Sequence, residues 1–257
     1  MIDFSSPNTS SVTTPRNVIM GDGAASQVSQ LLNTWKIQTH NLLIVSDPEV
    51  VKLGLLDGIQ NPLRQAGYEP TVFDAISGEP TLQTAIELTE AARMRTYGAI
   101  IGIGGGSTMD MAKLASAMAA NTGEVREYLG VITFPKEPLP LILIPTTAGT
   151  GAEATSVSML SVEGRKAIIL SPQLIPRAAV LDPLLTVSLP PKVTATTGLD
   201  ALSHALEAFM SVRANPFTDS NAIAAVGVIV DWLKTAFDGG SNLESRRAMS
   251  YAAYLGG

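Results

Sequence analysis

Apolar residues in this chain recur in two rhythms that alternate along most of its length. Unbroken apolar runs at residues 42–45, 99–103 and 141–144 read as strands buried on both faces. Residues 18–20, 71–73, 167–170 and 179–181 read as further short strands. Between them the apolar positions fall at helical spacing. One such stretch is 24–35, with Val28, Leu31 and Leu32 on one face; a second opens at Pro48, where proline suits a first turn; others are 82–94 and 107–119. Strands alternating with helices predict a parallel sheet covered by helices on both faces. After Pro190-Pro191 the strand rhythm stops, and 192–212, 217–237 and 244–255 are all helical in pattern. The organisation expected is a loose Ser/Thr-rich lead-in over 1–15, an α/β domain over 16–188, and the start of an all-helical domain over 189–257.

Composition narrows the class. At 257 residues the chain is long enough for one or two domains and for a core hiding about 70% of its unfolded surface. With 46% apolar and 16% charged residues it is not a disordered chain. A formal charge of −6 without a Lys/Arg run argues against nucleic acid as a partner. The absence of cysteine excludes disulfides and thiolate metal sites and leaves the compartment open. The N-terminus has neither the basic start nor the apolar core of a signal peptide, and no apolar stretch reads as a membrane span. A soluble, cytoplasmic protein with no membrane partner is expected.

In a parallel sheet, ligands bind beyond the carboxyl ends of the strands. Three loops leave those ends here. Gly104-Gly105-Gly106 let a phosphate approach the main chain. Ser107 then stands where a helix cap is expected, with Asp110 three residues on as in a capping box. The bland reading of the run is a tight turn, and it lacks the Gly-x-Gly-x-x-Gly spacing. Asp47 follows a buried strand and suits a ribose hydroxyl, or else simply opens the helix at Pro48. The loop from Pro145 to Glu153 offers Thr146, Thr147 and Thr150 among glycines, either for phosphate and ribose oxygens or as an ordinary Ser/Thr turn. Lys166 suits a cofactor phosphate or is a surface charge on a hairpin. Asp200 and His204 share a helix face four residues apart, a spacing that fits a divalent metal or a surface pair. His40 reads as a solvated loop residue.

Together these segments resemble the iron-containing alcohol dehydrogenase family. The carrying stretches are Ile101-Gly-Ile-Gly-Gly-Gly-Ser-Thr-Met-Asp-Met-Ala-Lys113, Ile144-Pro-Thr-Thr-Ala-Gly-Thr-Gly-Ala-Glu153, Ser171-Pro-Gln-Leu-Ile-Pro176 and Thr197-Gly-Leu-Asp-Ala-Leu-Ser-His-Ala-Leu-Glu207. Glycerol dehydrogenases, with Lys at the position of Ser107, and dehydroquinate synthases, without the threonine loop, fit less well. The resemblance implies a Rossmann-like parallel-sheet domain that binds the dinucleotide, followed by an incomplete all-helical metal and substrate domain. Asp47 would face the adenosine ribose; Gly105, Gly106 and Ser107 would hold the pyrophosphate. Thr146, Thr147, Thr150 and Lys166 would line the cofactor site, and Asp200 and His204 would be metal ligands. The family uses two more histidines further along, so the expectation is a truncated chain holding Fe2+ or Zn2+ weakly. The function implied is NAD(P)-dependent alcohol dehydrogenation, a metal-assisted hydride transfer between an alcohol or aldehyde and nicotinamide. Asp47 favours NAD over NADP, because a carboxylate repels a 2′-phosphate. The alternative is a catalytically inactive cofactor-binding fragment. No side chain stands out as an essential base, and a homo-oligomer is a further expectation.

Overall fold

The computed structural model describes residue 9 and residues 11–257; the lead-in expected over 1–15 lies mostly outside the described residues. In chain order the elements are β1 (Asn17–Met20), α1 (Val28–Thr34), β2 (Asn41–Ser46), α2 (Pro48–Lys52), α3 (Asp57–Gln65), β3 (Glu69–Phe73), α4 (Leu82–Arg93), β4 (Ala99–Gly104), α5 (Gly106–Ala120), β5 (Gly130–Val131), β6 (Leu141–Pro145), β7 (Val157–Val162), β8 (Arg165–Leu170), β9 (Ala178–Leu181), α6 (Pro191–Met210), α7 (Pro216–Asp238) and α8 (Leu243–Gly256). Short 3-10 turns fill several of the junctions.

Six strands form one parallel sheet in the order β1-β9-β6-β4-β2-β3. Alternation along β2, β4 and β6 sends their side chains to opposite faces. Leu43, Val45, Ile100, Leu141 and Leu143 meet α4 and α5 on one face. Leu42, Ile44, Ile101, Ile103, Ile142 and Ile144 meet α1 and α3 on the other. Each such side chain, fully buried, contributes roughly 1.5–3 kcal/mol. This two-sided burial is why the strands read as continuous apolar runs.

The chain leaves β2 towards β3 over one face and leaves β4 towards β6 over the other. The carboxyl ends of β2 and β4 therefore flank the switch point of the sheet, where a crevice opens. A second, three-stranded sheet, β5-β8-β7, packs beside α5. Its β7–β8 hairpin turns through Glu163 and Gly164, both at positive φ (52° and 76°), as a two-residue hairpin loop requires.

Helices α6, α7 and α8 pack on one another through Ala201, Ile229, Ala236, Met249, Ala252 and Ala253. Buried Arg246 ties α8 to the start of α6, donating to Thr194 Oγ1 (2.9 Å), the Gly240 carbonyl (2.8 Å) and the Leu189 carbonyl (3.3 Å). Helix α7 corrects one expectation. Its 23 residues contain an 18-residue stretch of mean hydropathy 1.2, long and apolar enough to cross a membrane by length and composition alone. Ala222, Ala225 and Ala236 serve the helix packing, while Phe217 and Val230 stay exposed.

Candidate active site

The turn after β4 is built around backbone, not side chains. Helix α5 begins at Gly106, and its cap residue Gly105 is extended with no side-chain capping bond. Ser107 is thus the second residue inside the helix, not its cap, and Asp110 closes no capping box. An extended glycine brings the chain in without covering the first helical N–H groups, which have no acceptor inside the helix. Such a bare N-terminus attracts anions.

The threonine loop lies against this turn. The Thr146 N–H donates to the Gly104 carbonyl (2.9 Å). A Cβ on Gly106 would stand 2.7 Å from Thr150 Cγ2, and one on Gly104 would stand 2.6 Å from Thr108 Oγ1 and 2.8 Å from Asp47 Oδ2. A Cβ on Gly105 would lie 3.6 Å from Thr147 Oγ1. The fold therefore brings Asp47, Gly104–Gly106 and Thr146–Thr150 into one cradle that any larger residue at 104 or 106 would fill. Asp47 itself caps α2, its Oδ1 accepting from the Val50 N–H (2.9 Å), while Oδ2 accepts from Thr108 Oγ1 (3.3 Å). The helix-opening reading of Asp47 is what its contacts show, and the residue also flanks the glycine turn.

Beyond the cradle a cleft of about 670 Å3 runs between the sheet and α6. Gly106, Ser107, Asp110, Thr150, Lys166, Asp200 and His204 all line it. Residues from α5, the threonine loop, the β7–β8 hairpin and α6 thus meet at one site, although 98 positions separate Gly106 from His204 in sequence. Lys166 is exposed on β8 opposite Ser161, a surface charge on the hairpin that also lines the cleft.

Asp200 and His204 sit one turn apart on α6, with Nε2 and Oδ1 3.8 Å apart and side chains 47% and 45% exposed. They offer one carboxylate oxygen and one imidazole nitrogen. Among the described residues no three His, Cys, Asp or Glu side chains stand close enough together to hold a metal ion. Protein metal sites usually supply at least three ligands, so this donor set does not by itself fit a resident metal. His40 lies away from the cleft, with Nδ1 3.2 Å from the Gly67 carbonyl.

Sequence reasoning did not single out a buried charged group behind the cleft wall. Lys113 is fully buried on α5 and donates to Asp110 Oδ1 (3.2 Å), Thr155 Oγ1 (2.7 Å) and the Val157 carbonyl (2.6 Å). Asp110 Oδ2 also accepts from the Met159 N–H (3.0 Å), so this carboxylate pins β7 to α5. Burial raises the Asp110 pKa and lowers that of Lys113. Glu153, 2% exposed at the end of the threonine loop, is pushed up by burial to about 7, with Lys113 opposing the shift. Tyr254 on α8 is raised by burial first and by Glu153 second. No local pattern singles out Lys113, because Asp110, Thr108 and Ser116 share the helix with it and its other partners lie some forty residues further on.

Two family models account for nearly the whole chain. Residues 15–183 match "Iron-containing alcohol dehydrogenase" and residues 194–257 match "Fe-containing alcohol dehydrogenase family, C-terminal". The chain belongs to the iron-containing alcohol dehydrogenase family. Among the family's characterised members, long-chain-alcohol dehydrogenase 1 of Geobacillus thermodenitrificans is 44% identical over 241 residues, covering 93% of this chain and 60% of that protein. The crystal structure of a 1,3-propanediol oxidoreductase superposes with a TM-score of 0.93 at 32% identity, over 97% of this chain and 65% of the other. Sulfoacetaldehyde reductase from Bifidobacterium kashiwanohense, solved in complex with NAD+, superposes with a TM-score of 0.90 at 31% identity, over 97% and 66%. The chain spans less than two thirds of the length of these iron-containing alcohol dehydrogenase relatives.

Proposed function

We propose that the cleft binds a nicotinamide dinucleotide, NAD in preference to NADP, and that the chain serves NAD-linked interconversion of a small alcohol and its aldehyde. One observation carries the reading. A side-chain-free phosphate cradle at the sheet's switch point opens into the same cleft as Asp200 and His204. The NAD+ complex of the 31% identical sulfoacetaldehyde reductase supports the cofactor. The bound nicotinamide would supply the hydride acceptor or donor. The backbone N–H groups of Gly106 and Ser107 hold the pyrophosphate, and the Ser107 hydroxyl adds a donor. Thr146, Thr147 and Thr150 fix the loop against that turn. Asp47, already oriented by Val50 and Thr108, offers its carboxylate to a ribose hydroxyl and disfavours a 2′-phosphate. Lys166 brings the cleft a positive charge. Asp200 and His204 are the polar groups at the substrate end. With two donors in hand, no step is routed through a metal. The division of labour we propose has its boundary near residue 188, cofactor to one side and substrate to the other. The two family models, which meet between residues 183 and 194, support it.

The test is paired. NADH binding to the full chain is measured by fluorescence titration, and alcohol-dependent NADH formation is followed with added Fe2+ or Zn2+. Saturable binding with turnover supports the whole reading. Binding without turnover supports the second reading, a cofactor-binding chain without catalysis, which the half-exposed Asp200–His204 pair favours. No binding overturns both.

A further inference from the structure

Lys113 is a costly residue to place where it is. An ammonium removed from water needs a hydrogen-bond acceptor for each proton and a counter-charge nearby. It has both: its three contacts match its three protons, and Asp110 and Glu153 are its carboxylate neighbours. The three acceptors come from three different elements. Asp110 is on α5, Thr155 lies in the link that carries the threonine loop into β7, and Val157 opens β7. All three residues line the nucleotide cleft, whereas Lys113 itself does not.

We infer that Lys113, balanced by Glu153, is a positioning residue for the cleft, holding α5, the threonine loop and β7 at the spacing that receives the nucleotide. This rests on the cofactor reading above. The ammonium acts through its partners and touches no ligand. Glu153 tunes it. The charged and titratable groups facing Glu153 are Lys113 and, beyond it, Asp110 from α5, and Tyr254 from α8. With Glu153 protonated, the trio of Lys113, Asp110 and Glu153 sums to zero charge. With Glu153 ionised it carries one net negative charge behind a cradle for a diphosphate, and the ammonium is drawn away from Asp110 and Thr155. Nucleotide affinity should therefore fall as pH rises through the Glu153 titration.

The experiment is an NADH fluorescence titration of the full chain, of Lys113→Met and of Glu153→Gln, each from about pH 6 to about pH 8. We expect Lys113→Met to weaken NADH binding by about tenfold or more, a coupling of ordinary size for a residue acting through others. The unaltered chain should lose about threefold to tenfold in affinity across the pH range, and Glu153→Gln should remove that loss. If Lys113→Met does not fold, the Glu153→Gln pH profile decides alone. A purely structural lysine would lower the melting temperature and leave the pH profile of affinity untouched. A fall in affinity that survives Glu153→Gln belongs to another group and overturns the inference. Equal binding by all three proteins at every pH also overturns it and leaves the cofactor reading standing. Failure of the unaltered chain to bind NADH overturns the cofactor reading and this inference with it.

Discussion

Glu153 keeps its proton in the folded chain up to about pH 7, because burial disfavours the charged form more than Lys113 favours it. In the unfolded chain the same carboxyl releases its proton near 4.5. Between those values the folded state binds more protons, so stability falls as pH rises. Buried Asp110, also raised, acts in the same direction from its unfolded value of 3.8 upward. Lowered Lys113 acts in the opposite direction, below its unfolded value of 10.5. The thermal midpoint should therefore decline from about pH 5 to about pH 7, on the order of 1–3 kcal/mol in stability. Glu153→Gln should flatten that decline and be the more stable protein above it; a midpoint that rises over this interval would contradict the assignment. Gly106 gives a second residue-level expectation. The added methyl of Gly106→Ala meets Thr150 at 2.7 Å, and the hydroxyl-bearing end of that side chain must turn to make room. NADH affinity should drop by about tenfold while the melting temperature changes little, since a displaced ligand contact costs about 1–2 kcal/mol. Gly106 and Thr150 were legible in the sequence because small residues in loops at strand ends announce themselves. Lys113 and Glu153 were not, because what makes each of them matter is a partner some forty residues away, beyond the reach of any local pattern.

At the level of elements, the parallel strands were legible and the small sheet only in part: residues 167–170 read as the strand that is β8, while β5 and β7 did not show. β2, β4 and β6 are buried on both faces and write that burial as unbroken apolar runs. β7, Val-Ser-Met-Leu-Ser-Val, has two interior serines, and the Oγ of Ser158 donates to the Asp110 carbonyl (2.7 Å). Its order comes from α5 and β8, which a single stretch of sequence does not display. β5 is two residues long and carries no periodicity at all. The helical stretch read from Pro48 divides into α2 and α3 because Gly54 takes φ +69°, a left-handed conformation that ends the first helix. The long helices were read well because each has a start signal. Asn215 accepts from the Phe217 and Thr218 N–H groups while Thr218 Oγ1 accepts from the Asn215 N–H, a complete capping box for α7. Asn215→Ala should cost about 1 kcal/mol, measured by urea denaturation, with no change in NADH affinity. A loss of affinity in that variant would mean that α7 reaches the cleft, which the lining residues do not indicate.

On the scale of the whole molecule, α8 is tied to the sheet part through Arg247 and through Gly151, and Asp182 braces the turn that Arg247 reaches. Arg247 holds Asp22 with two parallel bonds of 2.9 and 2.6 Å, linking α8 to the turn after β1. Buried Asp182 accepts from the Gly23, Ala25 and Leu184 N–H groups, fixing the end of β9 to that same turn. Gly151, at φ +58°, lies under the last turn of α8, where a Cβ would stand 2.5 Å from the Ala253 carbonyl. These joints position α6 across the cleft, yet none of them runs through Asp200 or His204. The cradle of Asp47, Gly104–Gly106 and the threonine loop is likewise assembled without either residue. Cofactor binding and metal binding should therefore be separable in this chain. Stripping divalent metal with EDTA should leave NADH affinity within about twofold, as expected for features that share no partners. Zn2+ binding, followed by calorimetry, should be weak for want of a third ligand and should vanish in His204→Ala. Tight Zn2+ binding that persists in His204→Ala would place the metal elsewhere. A large loss of NADH affinity on metal removal would mean that an ion organises the cleft. The task now given to the Lys113 ammonium, spacing the walls that receive the nucleotide, would then be shared with that ion.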